Sequence, residues 1–176
     1  SSRGLGDVYK RQGFHEDTVL HNAKVLNKDL SKVNKVVLSH FHSDHTGGLI
    51  KLRQVYKKLN ADAFSEVYVA RGFFDQRYYK DGSMEGPGNY RDSSEFKKTA
   101  EEEGINFIIL DDYKKISNNL YATGTVERVV EKYNGPKGFY LDKDLTIPDI
   151  IRDDQSVGML TDNGWIMMSG CGHSGI

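Results

Sequence analysis

The sequence predicts an α/β fold in which helices and strands alternate along the chain. Apolar residues recur at helical spacing over 16–27 and 46–59, and short runs rich in β-branched residues, 35–39 and Glu66–Ala70, stand beside them. Near the end, Asn163 and Gly164 separate two apolar runs, which indicates an antiparallel hairpin. A strand–helix–strand order of this kind implies a sheet that is covered by helices.

The first half of the chain supplies four elements. A surface helix is expected over 16–27, and the polar stretch 31–34 should connect it to a buried strand at 35–39. A second helix is expected over 46–59, where the apolar residues form one stripe. Glu66–Ala70 has the composition of the next strand.

Residues 71–92 interrupt this regular pattern. Aromatic residues stand here among glycines and a proline, namely Phe73, Phe74, Tyr78, Tyr79, Gly82, Gly86, Pro87, Gly88 and Tyr90. Two interpretations stay open: a lid that covers a substrate, or a long loop that packs its aromatic residues against its own domain.

Regular elements return in the second half. A helix is expected over 94–103, with Ser93 or Ser94 as its N-cap and Gly104 as its end. Strands are expected at Asn106–Leu110 and 119–126. The two strands of the hairpin are predicted at 155–160 and 165–169.

The most informative segment is a cluster of ligand-type residues that follows the strand at 35–39. Its pattern is His-x-His-x-Asp-His, formed by His40, His42, Asp44 and His45, and a Gly-Gly pair comes soon after. Neutral imidazoles and a carboxylate are the ligands that Zn²⁺ and similar ions prefer. In an extended backbone His40 and His42 point the same way and can bind one ion. Asp44 and His45 then fall on the other side of the turn, where a second ion can bind.

This segment resembles the signature of the metallo-β-lactamase-fold hydrolases. The sequence of residues 38–49 is most similar to that of the branch named for 7,8-dihydropterin-6-methyl-4-(β-ribofuranosyl)aminobenzene-5′-phosphate synthase. Residues 21–23, 152–155 and 170–176 support that branch, and the resemblance runs from about Gly13 to Ile176. It implies a four-layer αββα sandwich, of which this chain would be an incomplete part.

The resemblance also implies a third imidazole for the first ion. His173 follows a buried-type strand in a glycine-rich turn and matches the Gly-Cys-x-His of the family. Cys171 could be a thiolate ligand or a nucleophile, but a small buried thiol without a chemical role is preferred, because the resemblance assigns the chemistry to the histidine. Asp153 and Asp154 could hold a metal or orient a ligand histidine, and the second role, in which they support the ligands by hydrogen bonds, is preferred. His15 and His21 are expected to be solvated.

The function implied for the intact protein is that of a metallohydrolase. Two divalent ions, Zn²⁺ or alternatively Mn²⁺ or Fe²⁺, would activate a water molecule for attack on an ester or phosphoester, with a pterin-related compound as the suggested substrate. Asp44 is the expected catalytic carboxylate, because it would also orient the nucleophile. Two alternatives stay open: a non-catalytic metal-binding protein, and a diiron oxidoreductase of the same fold. His42 argues against the oxidoreductase, because the corresponding motif of those proteins resembles His-x-Glu-x-Asp, with glutamate at this position.

The two ends of the chain are expected to be artificial. Residues 2–12 resemble a translated sequencing-library adapter, so 1–12 are treated as a non-native tail and 13–176 as a partial domain. Arg11 and Gln12 occupy the places of Asp and Thr in the family's first Asp-Thr-Gly motif. With strands lost at both ends, the fragment is expected to aggregate and to be catalytically poor.

Composition limits the partners. The 24 basic and 25 acidic residues nearly cancel, which argues against binding to nucleic acid or to a membrane surface through charge. A single cysteine excludes an internal disulfide framework, and no apolar run approaches the length of a membrane span. A small-molecule substrate and a cytoplasmic location are therefore expected, with a lost signal peptide as the open alternative.

Overall fold

A computed structural model describes residues 15–87, 90–130, 132–133 and 135–175. The helices in these ranges are α1 (Thr18–Val25), α2 (Ser43–Thr46), α3 (Leu49–Tyr56) and α4 (Ser93–Glu102). The strands are β1 (Lys35–Val37), β2 (Glu66–Ala70), β3 (Arg77–Tyr79), β4 (Met84–Glu85), β5 (Asn106–Leu110), β6 (Lys114–Ser117), β7 (Leu120–Ala122), β8 (Phe139–Tyr140), β9 (Ser156–Thr161) and β10 (Gly164–Ser169). The adapter-like tail lies outside the described residues.

A parallel sheet of order β1-β2-β5 forms the centre of the fold. The side chains of its middle strand, β2, point alternately into two cores, because successive side chains of a strand point to opposite faces of the sheet. Val67 and Val69 pack with the apolar faces of the helices, among them Leu49 and Phe96. Tyr68 packs on the other face.

The second sheet is antiparallel, with the order β10-β9-β7-β6. Ile116 of β6 and Ala122 of β7 pack with Tyr68 and Leu110 of the parallel sheet in the second, smaller core. The described residues therefore form a helix layer, a parallel sheet and an antiparallel sheet, which agrees with the predicted α/β class and supplies three of the four expected layers.

The described residues between 71 and 92, namely 71–87 and 90–92, are more regular than the sequence suggested. β3 pairs with β4 and with the distant β8 in a small antiparallel sheet. Phe73, Phe74 and Tyr90 contact Phe41, Phe96 and Phe107 through their rings. Most of these aromatic residues therefore pack on the domain itself, as the second interpretation predicted, while Tyr79 contacts Phe139 near the predicted metal ligands.

Element types were predicted better than element ends. β2 and β5 have the predicted bounds, but α1 and β1 are shorter than predicted. The helix expected over 46–59 is α3, which is also shorter, and the short α2 before it was not predicted. The N-cap of α4 is Asp92, whose side chain accepts a hydrogen bond from the Glu95 backbone nitrogen, and neither Ser93 nor Ser94 has that role. The strand expected over 119–126 is β7 alone, and β6 was missed.

The hairpin of β9 and β10 was predicted correctly and has an unusually apolar surface. Trp165, Ile166, Met167 and Met168 are each about half exposed. No helix in the described part of the chain is both long enough and apolar enough to cross a membrane.

Candidate metal centre

The histidine cluster begins where β1 leaves the parallel sheet. The buried side chain of Gln155 donates hydrogen bonds to the carbonyl oxygens of Leu38 and Tyr68, and its backbone nitrogen donates to the Ser39 carbonyl. The backbone after Leu38 is therefore tied to both the neighbouring strand and the segment that enters β9. The carboxyl edge of a parallel sheet is where α/β proteins commonly place their binding sites.

Three imidazoles converge at this edge. The ring centroid of His40 lies 4.5 Å from that of His42 and 4.8 Å from that of His173, and the last two are 5.6 Å apart. The closest ring nitrogens, His40 Nε2 and His42 Nδ1, are 2.9 Å apart. Ligand nitrogens around one tetrahedral zinc ion are separated by roughly 3.3 Å, so this spacing is close to what one ion requires.

The protonation of these histidines also suits a metal. Burial and, to a smaller extent, the neighbouring imidazoles lower the pKa of His40 to about 2. Burial and the nearby Arg77 lower the pKa of His42 to about 4, and burial lowers that of His173. The Nε2 atoms of His42 and His173 are buried and have no hydrogen-bond partner in the described structure. Neutral imidazoles with free nitrogens at one point fit a divalent cation.

His45 and Asp44 lie on the other side of His40. The centroids of His40 and His45 are 4.3 Å apart, and the Ser39 hydroxyl lies 3.0 Å from Nδ1 of His40 and 3.3 Å from Nδ1 of His45. An Asp44 carboxylate oxygen lies 3.6 Å from His45 Nε2. The ligand-type residues thus lie in two neighbouring groups that share His40.

Cys171 differs from the prediction. It is exposed, and its Sγ lies 3.1 Å from His45 Nε2. Burial of the sulfur, together with the carboxylates of Asp44 and Asp154, raises the pKa of the Cys171 thiol. The expectation of a buried thiol was wrong, because sequence alone could not show where the turn after β10 lies.

Asp153 and Asp154 support the two segments that carry the histidines. Asp153 accepts a hydrogen bond of 2.8 Å from the backbone nitrogen of Phe41, between the first two histidines. Asp154 accepts one of 2.8 Å from the Ser174 backbone nitrogen, next to His173, and lies 3.9 Å from His40 Nδ1. These contacts support the prediction that both aspartates position ligands.

The most important residue that the sequence did not reveal is Arg77. Its side chain, 2% exposed, forms ion pairs with Asp149 at 2.7 Å and with Asp153 at 2.5 Å, and its guanidinium carbon lies 4.8 Å from the centre of the Phe41 ring. Arg77 therefore supports the same carboxylate that holds the Phe41 nitrogen. The only sequence signal was an arginine in a segment rich in aromatic residues.

A small cationic cleft adjoins His173. It has a volume of about 210 Å³ and is lined by Arg128, Lys132, Gly135 and residues 171–175. Arg128 donates to the carbonyl oxygens of Ile151 and His173 and so anchors the turn. Lys132 has no ion-pair partner in the described part of the chain, so its charge is available to a ligand.

His15 and His21 are exposed on or beside α1, as expected, and take no part in this cluster. His40, His42, His45 and His173 fall into two groups that share His40, and Asp44 lies beside His45. The structure therefore assembles residues from two segments that are more than 120 positions apart.

Comparisons with known proteins agree with this architecture. The family model described as "Metallo-beta-lactamase superfamily" matches residues 12–176 of this chain. A curated relative, 7,8-dihydropterin-6-methyl-4-(beta-D-ribofuranosyl)-aminobenzene-5′-phosphate synthase of Methanocaldococcus jannaschii, is 25% identical over 168 residues, which are 92% of this chain and 54% of the relative. The crystal structure of a metal-dependent hydrolase of the beta-lactamase superfamily aligns with a TM-score of 0.66 at 23% identity, over 90% of this chain and 54% of that one.

The chain thus spans about half the length of both proteins. The likeness to the crystal structure shows a shared fold, and the family match covers nearly all of the sequence. With its histidine motif at the carboxyl edge of a parallel sheet, the chain belongs to the metallo-β-lactamase superfamily.

Proposed function

We propose that this protein is a metal-dependent hydrolase of ester or phosphoester bonds. His40, His42 and His173 hold a first divalent ion, and Asp44 and His45 contribute to a second. The observation that carries the proposal is that one ring nitrogen each of His40, His42 and His173 lies within 4.8 Å of the other two, and that the buried Nε2 of His173 has no hydrogen-bond partner in the described structure. Buried polar atoms are nearly always hydrogen-bonded in proteins, so an unpartnered imidazole nitrogen in such a cluster indicates a ligand.

The residues divide the work between binding and proton transfer. A divalent ion at such a site supplies Lewis acidity and makes water a nucleophile near neutral pH. Three imidazoles leave one tetrahedral position open for substrate or water. The Asp44 side chain is about half exposed, so it can accept a proton from the nucleophile and orient it.

The cleft beside His173 favours an anionic substrate. Lys132 and Arg128 place positive charge next to the proposed first ion, and the backbone of 171–175 lines the same space. A phosphate group suits such a site, because its oxygens accept hydrogen bonds from cations and from backbone nitrogens. The name of the curated relative includes a phosphate group. We therefore propose that the substrate of this protein is a phosphorylated, pterin-related compound.

Turnover of simple probes tests the proposal. Purified protein is stripped with a chelator, reloaded with Zn²⁺, and assayed with bis(4-nitrophenyl) phosphate and 4-nitrophenyl acetate. We expect hydrolysis that requires metal and is lost in His42→Ala, because two imidazoles cannot retain the geometry of the first site. His21→Ala, which removes an exposed histidine away from the cluster, is the matched control.

The alternatives give different results. Stoichiometric zinc binding without turnover of either probe would identify a non-catalytic metal protein. Equal turnover before and after complete chelation would refute the metal-dependent mechanism. Zinc content that is unchanged in His42→Ala would remove the ligand assignment itself.

A further inference from the structure

The second group of ligand-type residues contains one more donor than the motif supplies. One atom each of His40, His45 and Cys171 lies within 4.8 Å of the other two, and Asp44 contacts the same His45 nitrogen. Cys171 thus forms one group with two histidines, and Asp44 lies beside one of them.

We infer that Cys171 is a thiolate ligand of the second metal ion, together with Asp44 and His45. This inference rests on the second metal position of the proposed function. A tetrahedral zinc ion separates a bound sulfur from a bound imidazole nitrogen by roughly 3.6 Å. The observed 3.1 Å between Cys171 Sγ and His45 Nε2 is close to that distance, so only a small movement is needed.

The imidazole of His45 is already oriented for this role. Its Nδ1 faces the Ser39 hydroxyl at 3.3 Å, which directs Nε2 toward Cys171 and Asp44. A hydrogen bond to one ring nitrogen commonly fixes the other nitrogen as the metal ligand. The Cys171 sulfur and a carboxylate oxygen of Asp44 thus both lie beside the same nitrogen of His45.

The backbone also shows that this approach is built into the fold. A Cβ atom placed on Gly170 would lie 2.4 Å from the Ser39 hydroxyl oxygen. Only glycine allows the end of β10 to come this close to the segment that follows β1. The position of Cys171 against His45 depends on that contact.

A second observation points to a cation. The Asp154 side chain is 2% exposed, and its Oδ1 has no hydrogen-bond partner in the described structure. This oxygen lies 3.9 Å from Nδ1 of His40, on the edge of the same cluster. A buried carboxylate oxygen without a partner is costly unless positive charge lies nearby.

A thiolate in the second site has a consequence for the choice of metal. Binding replaces the thiol proton, which is released to solvent, with a metal–sulfur bond. Thiolate and imidazole ligands favour Zn²⁺ and Co²⁺ over Mn²⁺, which prefers oxygen. The site therefore selects zinc rather than the manganese that the motif alone would allow.

Cobalt titration of the metal-free 176-residue protein tests the inference. Cobalt–thiolate bonds produce an intense charge-transfer absorption in the near ultraviolet, and Cys171 is the single cysteine of the chain, so the band has one possible source. We expect one equivalent of cobalt to produce the band, Cys171→Ser to abolish it, and His45→Ala to weaken the affinity for that equivalent at least tenfold. A tenfold excess of Mn²⁺ should not displace the band.

Thiol reactivity provides a second, independent readout. The exposed thiol should react with Ellman's reagent in metal-free protein and become at least tenfold slower after zinc is added. Two bound cobalt ions without a charge-transfer band would overturn the inference, and so would a band of equal affinity in His45→Ala. Neither measurement depends on turnover, so a protein that binds cobalt through Cys171 but hydrolyses nothing would refute only the proposed hydrolase function.

Discussion

Replacing Arg77 with methionine should destabilise the protein and loosen its first metal site. The substitution preserves much of the side-chain volume but removes the cation that lies between Asp149 and Asp153. Both carboxylates are almost completely buried, so water cannot replace the lost partner. Removing one partner of a buried ion pair typically costs about 3–5 kcal/mol. That is a large share of the roughly 5–15 kcal/mol that stabilises a domain.

The loss should depend on pH in a definite direction. Burial raises the pKa of Asp153 from 3.8 to about 6 even though Arg77 opposes the shift, and without Arg77 it rises further. A carboxyl group whose pKa is higher in the folded than in the unfolded state favours folding below the unfolded pKa, and this contribution is lost as pH rises through the folded pKa. The deficit of Arg77→Met should therefore be smaller at pH 5 than at pH 8.

Urea unfolding followed by circular dichroism measures this deficit at both pH values. Arg71→Met is the matched control, because Arg71 forms an exposed ion pair with Asp111 and its loss should leave the free energy of unfolding nearly unchanged. Arg77→Lys should restore part of the stability. The zinc affinity of Arg77→Met should also fall, because Asp153 positions the Phe41 backbone. An Arg77→Met protein as stable as Arg71→Met, or a deficit that does not grow with pH, would refute this reasoning.

Three further predictions concern the metal site, the cleft and the hairpin. Three ordinary imidazoles would lose about a thousandfold in zinc affinity between pH 7.5 and pH 5.5. The lowered pKa values of His40 and His42 keep both imidazoles neutral at pH 5.5. Competition with a chromophoric chelator should therefore show that the zinc affinity falls less than about tenfold between the two pH values. A thousandfold fall in zinc affinity would contradict the burial of the cluster. Lys132→Gln should raise KM severalfold for the anionic phosphodiester and leave KM for the neutral acetate unchanged, whereas equal effects on both would argue against an anion site. The exposed apolar hairpin should make the chain self-associate, and replacing Trp165 and Met167 with threonine should shift sedimentation toward the monomer; an unchanged distribution would place the contact elsewhere.

Local sequence was sufficient for much of the fold. Short apolar runs with the composition of strands correctly predicted β2 and β5, and Asn163 with Gly164 predicted the hairpin, because composition and turn chemistry act over a few neighbouring residues. Helix ends were less predictable, since they depend on which group caps the helix in space. Asp92 rather than Ser93 caps α4 for that reason.

The candidate site likewise contains some features that local sequence predicts and others that it does not. The spacing of His40, His42, Asp44 and His45 after a strand was readable from the sequence, and so was the metal chemistry that such residues favour. The role of Arg77 was not, because it depends on ion pairs with Asp149 and Asp153 across 72 and 76 positions. Such pairs leave no local periodicity.

The sequence by itself therefore determined the α/β class, the strand that presents the histidine motif, and the residue types available to a metal. The family resemblance implied that His173 joins His40 and His42, whereas tertiary structure alone decided that Cys171 lies against His45. The physical reason is that ligand geometry is set by distances between separate segments. Those distances follow from the packing of two sheets and from a single close approach at Gly170, which one-dimensional spacing does not encode.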